Sequence, residues 1–258
     1  MKLQGDSLYP LLEELVEKYE IPQFILHDPI SIPHSYQSRP DIEISGLFAA
    51  MFSWGLRITI IQKSRELMSL MGSSPYDFIV HHKANHLKKI LDFKHRTFQT
   101  TDLLYFIRFL KFHYTNHQSL ESAFLENDKF ISLEESLNSF RRYFFSMNDF
   151  PKRTQKHISH PLSGSTCKRL CMFLRWMVRH PDRGVDFGIW KSMKPADLKI
   201  PLDVHVHRVA LRLGLLRSDK RNWKMVMSLT ERLKEFNPED PVRYDFALFN
   251  LGLRKSPL

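Results

Sequence analysis

The chain has 258 residues, 43% of them hydrophobic and 20 of them Phe, with a formal net charge of +10. That length and apolar content exclude a disordered or minimal protein and allow either one large domain or two small ones. Its two cysteines, Cys167 and Cys171, are too few for a four-thiolate iron–sulfur cluster or a disulfide scaffold, and read as reduced thiols of a cytosolic protein. No basic-then-apolar leader opens the chain and no apolar run reaches bilayer-crossing length. A soluble cytoplasmic protein with no membrane partner is therefore expected.

In chain order, Leu8 to Tyr19 carries apolar residues at helical steps and predicts a first helix ending before Pro22. From Asp28 through Pro40 the prolines predict an extended linker. Asp41 is the expected cap of the next helix, whose Ile44, Leu47, Phe48, Met51 and Phe52 alternate with small residues, so that a central buried helix is expected. Ser53 to Arg57 breaks it, and Ile60 to Met71 resumes an amphipathic helix stopped by Gly72. Further helices are predicted over 76–80, 86–91, 101–114, 119–126 and 133–145, then over 167–179, 223–236 and 244–251. No alternating β-branched run demands a sheet and no period repeats, so the expected class is all-α.

The charge is unevenly placed. Between Pro151 and Arg183 the net charge is +7, between Lys199 and Lys224 it is +5, and the remainder of the chain sums to −2. A cation excess around two short segments reads as a footprint for a polyanion such as nucleic acid.

Those segments also hold the residues with chemistry to offer. Ser163-Gly164-Ser165-Thr166 is a short polar turn running into a helix, a seat for a phosphate at a helix N-terminus, with Gly164 allowing close backbone approach. Lys168 falls in the first helical turn beside Arg169, where dipole and like charge both favour the free amine that attacks carbon centres. In the second segment Pro201 marks the expected helix start and Asp203 its first turn, a position that favours an ionised carboxylate. His205 and His207 differ by two and face different sides of a helix, so no metal site is expected. His205, Arg208 and Arg212 are expected to face DNA or water.

These residues resemble a known superfamily. Leu162-Ser-Gly164-Ser-Thr-Cys-Lys168 is similar to the hairpin of the helix-hairpin-helix DNA glycosylases, and Pro201-Leu-Asp203-Val-His-Val-His-Arg208 through Gly214 is similar to their catalytic aspartate segment. The resemblance extends to Leu47–Arg57 and, with the opening Asp28 to His34 and closing Pro241 to Phe249, to the whole chain. It looks like a bacterial branch close to the archaeal 8-oxoguanine enzymes. It implies an all-α glycosylase-like unit over residues 1–258, two helical subdomains flanking a cleft, with hairpin and catalytic segment at about 151–224. It further implies a base-excision repair hydrolase, cytoplasmic and associated with the nucleoid, monomeric, needing no cofactor. Its partner would be double-stranded DNA with a damaged base, an oxidised purine. Lys168 then attacks the sugar C1′ with Asp203 assisting, and AP lyase cleavage follows.

The DNA contacts implied are Gly164, Ser165, Thr166, Arg169, His205 and Arg208. A base pocket must stack on the extruded base and read its edge; Trp54, Trp190, Tyr244, Phe246 and Phe249 are the aromatic candidates and Asp245 the polar one. The chain departs from the superfamily at Thr166, where a second glycine is usual, at Trp54-Gly55, where many relatives place a glutamine, and in the 35 residues separating Lys168 from Asp203. The alternative reading is a nucleic-acid-binding protein that keeps the fold without catalysis.

Overall fold

A computed structural model describes residues 5–180 and 182–253; the remaining positions of the expected 1–258 unit lie outside the described residues. Among the described residues there are helices and no strand, only two isolated bridges, His95 with Phe98 and Glu126 with Lys129. None of the helices is long and apolar enough to cross a membrane. The helices are α1 (Gly5–Tyr19), α2 (Arg39–Phe52), α3 (Arg57–Met71), α4 (Pro75–His81), α5 (Ala84–Leu87), α6 (Thr100–Asn116), α7 (Leu133–Phe144), α8 (Lys168–Val178), α9 (Val204–Arg212), α10 (Trp223–Lys234) and α11 (Asp245–Leu253). Contacts divide the chain into two compact units, one comprising Met1–Phe24, Ser132–Glu134 and His160–Leu258, the other Ile25–Ile131 and Glu135–Ser159. They are called the terminal and the central unit below.

The central unit is built around α2. Every side chain from Ile44 to Phe52 on this helix is fully buried. Phe52 at its end meets Phe93 at 5.5 Å and Phe98 at 5.1 Å, while Phe48 meets Phe106 at 5.9 Å. Phe106, Phe109 and Phe140 all gather on Phe144 of α7. Buried aromatic area of this kind is the main stabilising term of a core. Two carboxylates inside it are fully buried: Glu43 is satisfied by the Tyr114 hydroxyl, the Ser119 hydroxyl, the Leu120 N–H and the Arg39 guanidinium, and Asp102 by the Gln99 N–H and the Thr154 hydroxyl.

Local chemistry corrects several expectations here. The prolines of 28–40 do not make an extended linker: Pro29 and Pro33 start single 3-10 turns, and Pro40 lies inside the first turn of α2. Proline is well placed there because the first N–H groups of a helix have no partner to lose. Ser38, not Asp41, is the N-cap of α2; Asp41 instead takes the Ser74 hydroxyl and the Tyr76 N–H, capping the start of α4. The stretch 86–91 divides into a turn of α5 and a 3-10 turn, and 119–126 is a 3-10 helix over Leu120–Phe124.

In the terminal unit α11 packs against both α1 and α9. The inner element is α8, buried from Leu170 to Val178, and its burial includes two arginines. Arg175 pairs with Asp245 at 2.5 Å and lies 4.4 Å over the Phe246 ring. Arg179 is ringed by Glu20, Asp186 and Asp240. Cys167 and Cys171 are buried free thiols, as their sequence setting suggested, and burial pushes the Cys171 thiol well up.

Candidate active site and nucleic-acid interface

Both segments singled out in the sequence belong to the terminal unit. The turn before α8 is a 3-10 turn over Pro161–Ser163 followed by Gly164 at φ +74° and Cys167 at φ +50°. A side chain at 164 would meet no neighbour within 4 Å, so glycine is used there for its backbone freedom. Ser165 Oγ accepts the Cys167 N–H at 3.2 Å, bending the chain into the helix. Lys168 is the first helical residue, half-buried; the helix starts one residue later than the sequence pattern gave, with Cys167 at its cap. Desolvation lowers the neighbouring Arg169 guanidinium to about 10, which leaves it charged at neutral pH.

Asp203 lies ahead of α9 as its N-cap, and Pro201 is outside the helix altogether. Asp203 Oδ1 accepts the N–H groups of His205 at 2.8 Å and Val206 at 2.9 Å. The cap satisfies two orphan donors and fixes the carboxylate at the helix end. α10 braces both segments: the Trp223 N–H at its start donates to Gly164 O at 3.1 Å, and Thr230 Oγ1 accepts the buried Ile200 N–H at 3.1 Å. Seven positions apart on the helix, the two attachments are separated by about 10 Å along it.

The other expected contacts fare differently. Gly164 and Arg208 are exposed, and Ser165 and Thr166 half-exposed. His205 turns toward α11 instead of solvent, its Nδ1–H donating to Gly252 O at 3.3 Å and its ring standing edge-on to Phe249 at 6.3 Å. His207 is buried and donates from Nε2 to Ser218 O at 3.1 Å, so the two imidazoles share no ligand; no metal-holding cluster occurs among the described residues.

Of the base-pocket candidates, Trp190 stacks edge-on with Phe173, Tyr244 donates its hydroxyl to Glu13 at 2.6 Å, and Phe246 lies under Arg175. All three are at most 1% exposed, and Asp245 is held by Arg175, so in this structure they form the interior of the unit and offer no face to a base. Phe249 is half-exposed beside His205, and Trp54, in the central unit, is half-exposed against His95 at 5.1 Å. A cavity of about 550 Å³ in the terminal unit is lined by Glu20, Arg179, Asp240 and Arg243 among others, and by neither Lys168 nor Asp203.

The electrostatic footprint is also redrawn. Of the cations counted between Pro151 and Arg183, Arg153 pairs with Asp102, and Arg175, Arg179 and Arg183 pair with carboxylates of the terminal unit. They hold the fold and are not available to a polyanion. By contrast Arg208, Arg212, Arg217, Lys220, Arg221 and Lys224 are all exposed, and none has a carboxylate partner among the described residues. The His207 bond to Ser218 ties the loop carrying Arg217 and Lys220 back onto α9, alongside Arg208 and Arg212.

A second exposed cation group, from Lys83 to Arg96, escaped the sequence reading. Five cations against Asp92 give it a charge of +4, hidden because the rest of the chain outside the two motif segments is acidic. Summing charge in a short sliding window would have found it.

The described residues thus define a helical protein of two units, one of them carrying a lysine and an aspartate at successive helix starts beside an exposed basic strip. The chain belongs to the family described as protein of unknown function (DUF2400), whose model matches residues 28–254. No curated protein and no solved structure matches the chain.

Proposed function

We propose that the protein is a DNA repair glycosylase with a helix-hairpin-helix glycosylase-like fold, acting on an oxidised purine, with a following lyase step. The observation that carries the reading is the placement of Lys168 at the first position of α8 and Asp203 at the cap of α9. Both are half-exposed, and both segments are braced by one helix, α10. The Lys168 Nζ lone pair forms a bond to C1′ of the damaged nucleotide. The glycosidic bond breaks, and its electron pair leaves with the base, which takes up a proton. The Asp203 carboxylate faces the cationic character that develops on the sugar. Loss of the amine proton and ring opening give an imine, and removal of a C2′ proton then expels the 3′ phosphate. The exposed strip from Arg208 to Lys224 supplies phosphate contacts. Acting on chromosomal DNA, the enzyme works in the cytoplasm as a monomer without a cofactor.

The test is base release from a panel of duplexes, each carrying one lesion. The wild type is expected to release an oxidised purine. Asp203→Asn is expected to release none while binding as before, since asparagine caps a helix about as well as aspartate. A second reading, a binder without catalysis, is favoured by the commitment of Asp203 Oδ1 to the cap. It predicts no release from any duplex and salt-sensitive binding indifferent to Asp203→Asn.

A further inference from the structure

The cation group of the central unit is built to face outward. Along 93–98 the buried residues Phe93, His95 and Phe98 alternate with exposed Lys94, Arg96 and Thr97. The three inward rings all contact Phe52 at the end of α2, and His95 Nε2–H donates to Phe52 O at 3.0 Å. Burial lowers the His95 pKa, which keeps this anchor a neutral ring. His95 and Phe98 also exchange backbone hydrogen bonds at 2.9 Å, closing a two-residue turn with Arg96 at φ +53°. That conformation is costly for a residue with a side chain and persists because both flanks are nailed to the core.

The turn places Arg96 over the loop between α2 and α3. A Cβ built on Gly55 would lie 2.6 Å from Arg96 Nη1, so the guanidinium occupies space that only glycine leaves. Directly after Gly55 come two aliphatic side chains the core does not use: Leu56 is 73% exposed and Ile58 66% exposed. Lys88 and Lys89 belong to the 3-10 turn packed on α3, and both are exposed. Lys88, Lys89, Lys94 and Arg96 have no carboxylate partner among the described residues. Solvated lysines alone are ordinary, but here cations without carboxylate partners lie on segments packed against the loop and helix that carry the exposed aliphatic side chains, so the same segments offer two kinds of contact.

We infer that this face of the central unit binds duplex DNA on its own account. Lys88, Lys89, Lys94 and Arg96 meet phosphates, and Leu56 with Ile58 lies against the sugars and base edges of a groove. Apolar side chains flanked by cations suit a groove because its walls are charged and its floor is not. The inference extends the proposed function in naming a second contact surface for the same partner, yet it depends on binding and not on chemistry at Lys168.

The experiment is fluorescence anisotropy with a short labelled duplex across a salt series, with circular dichroism confirming that each variant is folded. For Lys88→Ala/Lys89→Ala/Lys94→Ala, affinity at 0.15 M salt is expected to fall about tenfold, and the slope of log K against log salt to shrink by about 2 to 3. For Leu56→Ser, affinity is expected to fall severalfold at unchanged slope, because no counterion is released by an apolar contact. A triple variant with wild-type affinity and slope overturns the inference. So does Leu56→Ser binding that matches wild type, or a loss of binding to anionic phosphatidylserine vesicles in both variants while duplex affinity stays put. Base release is scored separately: its absence with these binding changes intact sinks the catalytic reading and leaves this one standing.

Discussion

The two units stabilise their interiors by different chemistry. In the central unit an apolar helix is wrapped by phenylalanines, and its two fully buried carboxylates, Glu43 and Asp102, are each satisfied by hydrogen-bond partners. In the terminal unit the inner helix carries Arg175 and Arg179 one turn apart, and the carboxylates of four other segments close around them. Three carboxylates on one guanidinium hold Arg179 firmly in its charged form, while desolvation raises the pKa of Glu20 and Asp240. The contrast teaches that a cation-rich helix can be an interior element, and that its charges then serve the fold and not a ligand.

Breaking each interior shows the difference most strongly. Arg179→Ala takes from Glu20, Asp186 and Asp240 the counter-charge they share, and is expected to cost about 3–5 kcal/mol at pH 8 by urea denaturation. The cost should shrink at pH 5, because carboxylates without a counter-charge can then take up protons. Phe106→Ala in the central unit is expected to cost about 3–5 kcal/mol as well, through the cavity it leaves, but by the same amount at both pH values. A cost for Arg179→Ala that ignores pH would erase the comparison.

Buried histidines do bring pH dependence to the central unit, His113 as well as His95. His113 is buried, donates to Ser119 O and accepts from the Tyr143 hydroxyl, and burial lowers its pKa to about 4. Since the unfolded chain takes up this proton first, the stabilisation is complete above pH 6.5 and is lost as pH falls from there toward 4. The loss is on the order of 3 kcal/mol. In His113→Gln, which keeps both hydrogen-bonding roles, stability between pH 7 and 4 is expected to fall by that much less than in the wild type.

The smallest expected effect sharpens the account of the terminal unit. A Cβ on Gly252 would lie 2.8 Å from His205 Cβ and 3.0 Å from its carbonyl oxygen, so Gly252→Ala must push α11 away from the start of α9. A cost of about 1–3 kcal/mol is expected in stability. Base release should fall further than stability accounts for, because Asp203 is fixed by the same turn.

Much of this fold was readable in the residues. The helices from α2 to α4, and α10, follow their apolar spacing, and the central burial of α2 follows from small residues among large ones. Where the reading failed, it failed on polar chemistry. Arg175, Arg179 and Arg183 look in sequence like a basic helix face, since their partners Glu17, Glu20, Asp240 and Asp245 lie far off along the chain. Asp203 was placed inside a helix that it caps, because Pro201 suggested an earlier start. Tyr244, Asp245 and Phe246 promised an aromatic pocket, and long-range packing on α1 and α8 makes them interior instead.

The most direct measurement is borohydride trapping on a lesion-bearing duplex followed by peptide mapping of the adduct. The account predicts one covalent complex with the wild type, mapped to Lys168, and none with Lys168→Gln. An adduct that forms equally well in Lys168→Gln, or that maps to another lysine, would contradict it.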